Sequence, residues 1–294
     1  MFLTVFTPTY NRAHLLINLY ESLCAQTCKD FEWLIVDDGS TDNTEETVRE
    51  FIEKNEISIK YIRKENGGKH TAYNAAIDIC NTELFFCVDS DDELTTDAVE
   101  IIHEEYKKNE YEQFLGMVFR KITRDGIDEA SQYPDGIKAI GLADLYHNYS
   151  FTGELAFVFK TDLIKSYTFP VFTGEKFLTE RVLFNKLNNI ATMLLCNDKI
   201  YVYEYQEDGL TTRYKKNIKK CPYGCAYDHI SEAYYGKKVV YKAKHYAAYK
   251  AFVMLFKIDK RKLRIDFSVD KVIIVLGNLF AMPCLVYLKY VYFR

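Results

Sequence analysis

The chain opens on a short apolar, β-rich run, Phe2 to Phe6, closed by Thr7-Pro8-Thr9, after which Leu15, Leu16, Leu19 and Leu23 recur at helical spacing. Strand, turn and helix are expected in that order. The cycle then repeats, with Phe31 to Val36 reading as a strand, Thr41 to Lys54 as a helix and Ile57 to Ile62 as a strand. A helix from Lys69 to Ile79 and a strand from Leu84 to Val88 follow. Ser40 or Asp42 is placed to cap the second helix, with Glu45 and Glu46 in its first turn, where the helix dipole favours acids. Alternation of this kind implies an α/β fold whose parallel strands are joined by right-handed helical crossovers.

Beyond Thr95 the pattern predicts a helix to Lys108, a strand near Met117 to Ile122, and a polar, turn-rich stretch from Thr123 to Gly141 expected to flank an active site. Strands at Leu155 to Phe159 and Lys199 to Tyr205 enclose a helix from Phe177 to Leu187. From Asn217 onward the pattern is helical and rich in Lys and Tyr, ending in an apolar run, Val272 to Leu288, interrupted by Asn278 and Pro283 and flanked by Lys271, Lys289 and Arg294. That run is shorter than the ~20 apolar residues of a membrane span, so an interfacial or packing helix is expected. Two regions result: 1–213, with a first half to residue 95 and a second from 96, and a helical extension over 214–294.

Composition changes this picture in two places. Eight cysteines are scattered and no secretory leader pattern opens the chain, so reduced thiols and a cytoplasmic location, possible at the cytoplasmic membrane face, are expected. Cys221 and Cys225 have a spacing zinc sites use, but no second pair accompanies them. The net charge of −4 hides an asymmetry: Arg213 to Arg264 holds fifteen Lys or Arg against three acids, which leaves 23 cations against 39 acids elsewhere. A surface that meets something anionic, lipid head groups included, would account for it, as would a solvated helical face.

The chemistry sits at strand ends. In open α/β sheets ligands bind beyond the carboxyl ends of the strands, and Thr7 to Asn11, Asp37 to Ser40 and Asp89 to Asp92 all fall there. Asp89-Ser90-Asp91-Asp92 concentrates carboxylates that repel one another. A hard divalent cation, Mn²⁺ or Mg²⁺, shared with substrate phosphate oxygens would hold them together. A carboxylate of Asp37-Asp38-Gly39-Ser40 could grip a ribose or a base edge, and Asn66-Gly67-Gly68-Lys69 offers backbone N–H groups and a cation at a helix start, a weak phosphate cradle on its own. The glycine patterns of dinucleotide folds and phosphate-binding loops are absent, so NAD or ATP chemistry is not expected.

Thr7-Pro8-Thr9-Tyr10-Asn11-Arg12, Gln26-Thr27, Phe31 through Asp42, Asn66-Gly67-Gly68 and Asp89-Ser90-Asp91-Asp92 stand in the order and spacing of the family 2 glycosyltransferases of GT-A fold, which the chain resembles closely over its first third and loosely to Tyr214. The resemblance implies a Rossmann-like sheet and an inverting, metal-dependent transfer from a nucleoside-diphosphate sugar, UDP-linked by default. The acceptor would be a hydroxyl of a saccharide or a lipid-linked chain in surface-polysaccharide synthesis. It implies that Pro8, Thr9, Tyr10, Asn11, Arg12 and Asp38 serve the nucleotide, with Gly68 and Lys69 beside it. Asp89, Ser90 and Asp91 would reach the ribose and donor, with Asp91 and Asp92 at the metal. The family's Glu-Asp pair at a helix start, whose acid deprotonates the acceptor, is matched by Glu180-Arg181; Glu180 is the expected base and Glu175 the reserve. Arg213, after the last core strand, would pair with the diphosphate. Two other classes are open: a donor-binding protein without catalysis, for which Arg181 would be the symptom, and nucleic-acid binding through the basic tail, although no nucleic-acid partner is expected.

Overall fold

The computed structural model describes residues 1–109, 113–149, 151–188, 190–204 and 214–293. The chain forms two compact units, one of residues 1–168 and 190–206 and the other of residues 169–189 and 207–294.

The first unit carries β1 (Leu3–Thr9), α1 (Ala13–Cys24), β2 (Phe31–Asp37), α2 (Thr44–Lys54), β3 (Ile59–Arg63), α3 (Lys69–Ile79), β4 (Leu84–Cys87), β5 (Glu93–Leu94) and α4 (Ala98–Lys108). It continues through β6 (Gly116–Thr123), β7 (Ala139–Ile140), α5 (Leu142–Asn148), β8 (Leu155–Lys160) and the short α6 (Thr161–Ile164). After the chain has visited the second unit for α7 (Arg181–Leu187), it returns as β9 (Met193–Tyr203).

One sheet runs β3-β2-β1-β4-β8-β6-β9-β5, with β7 on β9. The first four strands are parallel, as the alternation predicts, and β2 is buried over nearly its whole length, the mark of a strand covered on both faces. The second half is mixed: β8 runs antiparallel to both β4 and β6, whereas β6 and β9 are parallel. Local periodicity does not encode strand direction, so this reversal was not legible in the sequence. On one face, Tyr20, Phe51 and Trp33 stack between α1, α2 and β2, and the Trp33 indole donates to the Thr7 hydroxyl at 2.9 Å.

The capping expectation changes in detail. α2 starts at Thr44, three residues after the expected Thr41, with Asn43 at its N-cap. Asp42 instead accepts from the Thr44 N–H at 3.2 Å and, through its other oxygen, from the Ala13 N–H at 3.1 Å, so one carboxylate serves the starts of α1 and α2. The polar stretch after β6 folds around the buried Arg120, whose guanidinium binds Asp128 at 2.5 Å and the carbonyls of Ala130 and Ser131.

The second unit joins α7 to α8 (Tyr214–Lys220), α9 (Pro222–Tyr235), α10 (Val239–Leu255) and α11 (Lys271–Phe293), so residues 169–189 cluster with the C-terminal helices although the sequence reading grouped them with 1–213. Asn278 and Pro283 do not interrupt the run from Val272 to Leu288 as its sequence suggests: α11 passes through both as one helix. The proline removes one backbone bond, but Ile273, Gly277, Ala281 and Leu288 continue a buried stripe across it. All eight cysteines are free thiols.

Two buried polar features fix this unit. Arg181 at the start of α7 pairs with Asp228 and, at 2.8 Å, with Glu232, acids that are 3% and 0% exposed on α9. Replacing Arg181 by Met leaves both carboxylates buried without their cation. A stability loss of about 2–3 kcal/mol in urea denaturation is expected, below the range for fully buried pairs because the Arg181 side chain is 41% exposed.

His229 and His245 face each other Nδ1 to Nδ1 at 3.0 Å, an arrangement that needs one donor and one acceptor. Burial pushes the His229 imidazole down from 6.5 to about 4, against the pull of Asp228. Its folded-state pKa lies below the unfolded one, so the unfolded chain binds the extra proton in the window between. Stability is therefore full above pH 6.5 and falls, by on the order of 3 kcal/mol, as the pH drops toward 4. Melting curves of the wild type and His229→Phe across that window check it: the variant's curve should be the flatter of the two.

Candidate functional site

β1 lies between β2 and β4, so the loops that leave the carboxyl ends of these three strands are neighbours. Thr9 stands in register with Asp37, and Phe6 with Cys87. Residues 8–12, 37–40 and 89–92 therefore meet at one sheet edge, where the crevice rule places ligands.

Asp38 is buried there and organises the neighbouring loop. Its Oδ1 accepts from Lys64 Nζ at 2.7 Å and the Gly67 N–H at 2.9 Å, and its Oδ2 from the Gly68 N–H at 2.6 Å. Gly68 reaches this geometry at φ +93°, in the left-handed region that favours glycine. Asp37 is engaged as well, by the Ser40 N–H at 2.8 Å and the Tyr61 hydroxyl at 2.7 Å. The Asn11 N–H donates to the Ser40 hydroxyl and the Asn11 side-chain Oδ1 accepts from the Thr41 N–H at 2.7 Å, which locks the 10–12 turn to the 37–41 turn. Pro8 lies within β1 and Tyr10 stands exposed at the rim. The Thr9 hydroxyl is buried with no hydrogen-bond partner among the described residues.

The acidic tip after β4 departs from the picture of bare carboxylates held apart by repulsion. Lys69 Nζ binds Asp89 at 2.6 Å and Arg12 Nη1 binds Asp91 at 2.8 Å, so two cations expected at the nucleotide already hold acids. The third acid, Asp92, is buried and accepts from the Tyr201 hydroxyl at 2.6 Å, and that same hydroxyl accepts the Asp89 N–H at 3.1 Å. Lys121 lies 3.9 Å from the Tyr201 ring centre, a cation–π contact. Ser90 is buried between them. The two-strand pairing of β5 with β9 sets Leu94 opposite Tyr201, which brings the tyrosine to the acids. Tyr201 is the residue that sequence reasoning missed. Its strand was predicted, but which strand tip it would face depends on the mixed half of the sheet.

Charge remains unbalanced. Burial raises the Asp89 carboxyl, but Lys69 first, then Lys121 and Arg12, outweigh it and hold the group below its usual range. Asp91 is pushed up by burial and by Asp89 despite Arg12, and Asp92 is pushed up by burial and by both neighbouring acids despite Lys121 and Tyr201. Among the described residues no three His, Cys, Asp or Glu side chains converge as a closed metal cage. The donor set still suits a hard divalent cation of the kind held by one or two carboxylates and completed by substrate phosphate. A cation beside Asp91 and Asp92 would relieve the repulsion that raises both.

The second unit, taken by itself, holds the remaining candidates. Glu175 is buried and accepts from the Tyr223 and Gly224 N–H groups at 2.7 Å each, so it caps the first turn of α9. Glu180 is half-buried at the N-cap of α7, directly before Arg181. Thr179 donates to Asp228 at 3.0 Å, and Arg181 binds the same acid. The segment that carries Glu180 is thereby tied to α9 on both sides. Arg213 lies outside the described residues.

Comparison with known proteins gives this edge a context. Over 123 residues the chain is 33% identical to a chondroitin synthase of Escherichia coli, a match covering 42% of this chain and 18% of that protein. It is 29% identical over 125 residues to glycosyltransferase GlyG of Streptococcus pneumoniae, covering 42% of this chain and 41% of the relative. The chain thus spans well under half the length of these relatives. Among solved structures, S. aureus TarS in complex with UDP-GlcNAc superposes with a TM-score of 0.62 at 19% identity, over 87% of this chain and 73% of that one. A mannosyltransferase from Pyrobaculum calidifontis, solved with GDP-Man and Mn²⁺, superposes at 0.51 with 18% identity, over 97% of this chain and 73% of its own. At such identities these structures speak for the fold, which is GT-A. The family model of glycosyl transferase family 2 matches residues 4–187, more than half the chain, so the chain belongs to that family.

Proposed function

We propose that the protein is an inverting glycosyltransferase that moves a sugar from a UDP-linked donor to a hydroxyl of a saccharide or lipid-linked acceptor in surface-polysaccharide synthesis, acting in the cytoplasm. The observation that carries this reading is the juxtaposition of Asp38, the Gly67-Gly68 turn and the Asp89–Asp92 tip on one sheet edge. The nucleotide occupies the ground between Pro8, Tyr10 and Asp38, with Thr9, Asn11 and Ser90 lining it. Arg12, Lys69 and Arg213 meet the diphosphate, the first two by exchanging a carboxylate for a phosphate. A divalent cation at Asp91 and Asp92, Mn²⁺ or Mg²⁺, would supply neutralising charge to the leaving diphosphate. Glu180 takes the proton from the acceptor hydroxyl as it attacks the anomeric carbon from the opposite face. Glu175, whose oxygens both serve α9, is given no proton to move.

Support for the donor class comes from the neighbour that binds UDP-GlcNAc, and for the acceptor class from chondroitin synthase and a teichoic acid polymerase among the relatives. The reading without catalysis rested on Arg181, and Asp228 and Glu232 give that arginine a structural task instead. Titration calorimetry with UDP, GDP and dTDP in saturating Mn²⁺ or Mg²⁺, followed by a donor-hydrolysis screen, tests the proposal. Binding of UDP in preference to the others is the expected result; no binding by any of the three sinks it.

Tyr201 tests the supporting shell. Tyr201→Phe keeps the ring and its packing but removes the hydroxyl that holds Asp92 and the Asp89 N–H. A loss of about 1–2 kcal/mol in stability is expected, together with metal-dependent UDP binding weakened about tenfold and metal-free binding unchanged. Equal weakening with and without metal would show that the tyrosine positions nothing at the cation.

A further inference from the structure

α11 is apolar around almost its whole circumference, yet only one stripe of it is covered. Ile273, Gly277, Ala281 and Leu288 are buried, and Gly277 fits so closely against α10 that an added Cβ would lie 2.7 Å from the Tyr246 ring and 3.0 Å from the Ala243 carbonyl. On the far side Val272, Val275, Leu279, Met282, Val286 and Tyr290 follow one another at steps of three and four residues, each between 60% and 69% exposed. Phe280 and Tyr287 widen this face and are more than half exposed. From residue 271 to 291 the helix is long and apolar enough to cross a membrane, and Lys271 and Lys289 are its only charged residues.

What covers such a face can be argued from its width and its surroundings. A helix that pairs with a second copy presents a narrow apolar seam between charged flanks. Here the flanks are apolar too, and charge is confined to the helix ends. Lys257, Lys260, Arg261, Lys262 and Arg264, all exposed, crowd the turn between α10 and α11, where Asp259 is bound to Arg261. Leu263 in that turn and Leu288 of α11 belong to one apolar cluster, so the basic turn and α11 pack into the same small core. Apolar middle, tyrosines and lysines toward the end, and a basic rim are the features of a helix that lies in a bilayer interface containing anionic lipid.

We propose that the exposed face of α11, with the basic turn of residues 257–264, is a docking surface for an anionic phospholipid bilayer, on which the helix lies rather than spans. The choice between lying and spanning follows from α10, which packs on α11 and carries Lys242, Lys244 and Lys250. A spanning α11 would draw those cations into hydrocarbon, at a cost that the free interface avoids. The surface is independent of the donor site and of the reaction proposed for it.

The test is co-sedimentation of the full chain with vesicles of phosphatidylcholine alone or with about 30 mol% phosphatidylglycerol. The wild type should bind the anionic vesicles at least about tenfold more tightly than the neutral ones. Leu279→Gln with Val286→Gln, both at exposed positions, should lower binding to anionic vesicles about tenfold, and Lys260→Ala with Lys262→Ala should abolish the lipid-charge preference while leaving weak binding to both. Circular dichroism and UDP calorimetry on the same variants show whether the fold survives. Equal sedimentation of wild type and both double variants overturns the proposal. So does wild type that ignores vesicles and runs as a dimer by light scattering while the glutamine variant runs as a monomer. Protease protection of residues on both sides of α11 in sealed vesicles would overturn the lying orientation.

Discussion

Asp91→Ala is expected to lower sugar transfer by about two to three orders of magnitude, on the scale of losing one strong electrostatic stabiliser at a leaving group. On the proposed reading the variant removes a carboxylate that shares a cation with the donor diphosphate, and it also releases Arg12 from its 2.8 Å pair. The two consequences pull binding in opposite directions. Metal-dependent binding of UDP weakens, whereas metal-free binding strengthens, because a freed guanidinium and one fewer negative charge both favour a polyphosphate. Calorimetry with Mn²⁺ and with EDTA separates them, and the crossing of the two trends is the signature. An Asp91→Ala enzyme with undiminished transfer, or one whose UDP affinity falls equally in both buffers, would show that Asp91 does not face a cation. Asp92→Ala supplies a contrast: its loss also takes away the buried acceptor of the Tyr201 hydroxyl, which keeps only the Asp89 N–H, so stability should fall together with activity.

The parallel half of the fold was legible because each level of the sequence agreed with the next. The apolar runs ending at Thr9, Asp37 and Cys87 are bounded by turn chemistry, and their helices carry apolar stripes of the right period. That the loops of the candidate site would meet was legible for the same reason, since parallel crossovers leave loops 8–12, 37–40 and 89–92 at one edge. What was not legible depends on contacts between distant segments. Lys69 and Arg12 are cations next to a phosphate-type turn, and nothing local says that each holds an acid, Asp89 or Asp91, when no ligand intervenes. Tyr201 is one tyrosine among 24, and only the pairing of β5 with β9 places it under Asp92. Arg181 looked like a lost catalytic acid because its partners Asp228 and Glu232 lie 47 and 51 positions away on another helix. Glu175 looked like a spare base for a comparable reason: the N–H groups that it caps belong to Tyr223 and Gly224.

That rearranged reading of residues 175–181 makes Glu180→Gln the sharpest test of chemistry as distinct from binding. The segment is held by Glu175 at the start of α9, by Thr179 on Asp228 and by Arg181 on Asp228 and Glu232, so an isosteric amide at position 180 should leave the backbone where it is. Turnover should then fall by a factor of about 10² to 10⁴, the range for removal of a general base, with UDP-sugar affinity within about twofold of wild type. Arg181→Lys, which keeps the charge on α7, supplies the control and should retain most of the turnover. Should Glu180→Gln retain full turnover while Glu175→Gln loses both turnover and thermal stability, the base lies elsewhere and the second loss reports only the uncapping of α9. Loss of donor affinity in Glu180→Gln would instead move that residue from the acceptor's proton to the donor, and the assignment of roles to residues 175–181 would have to be drawn again.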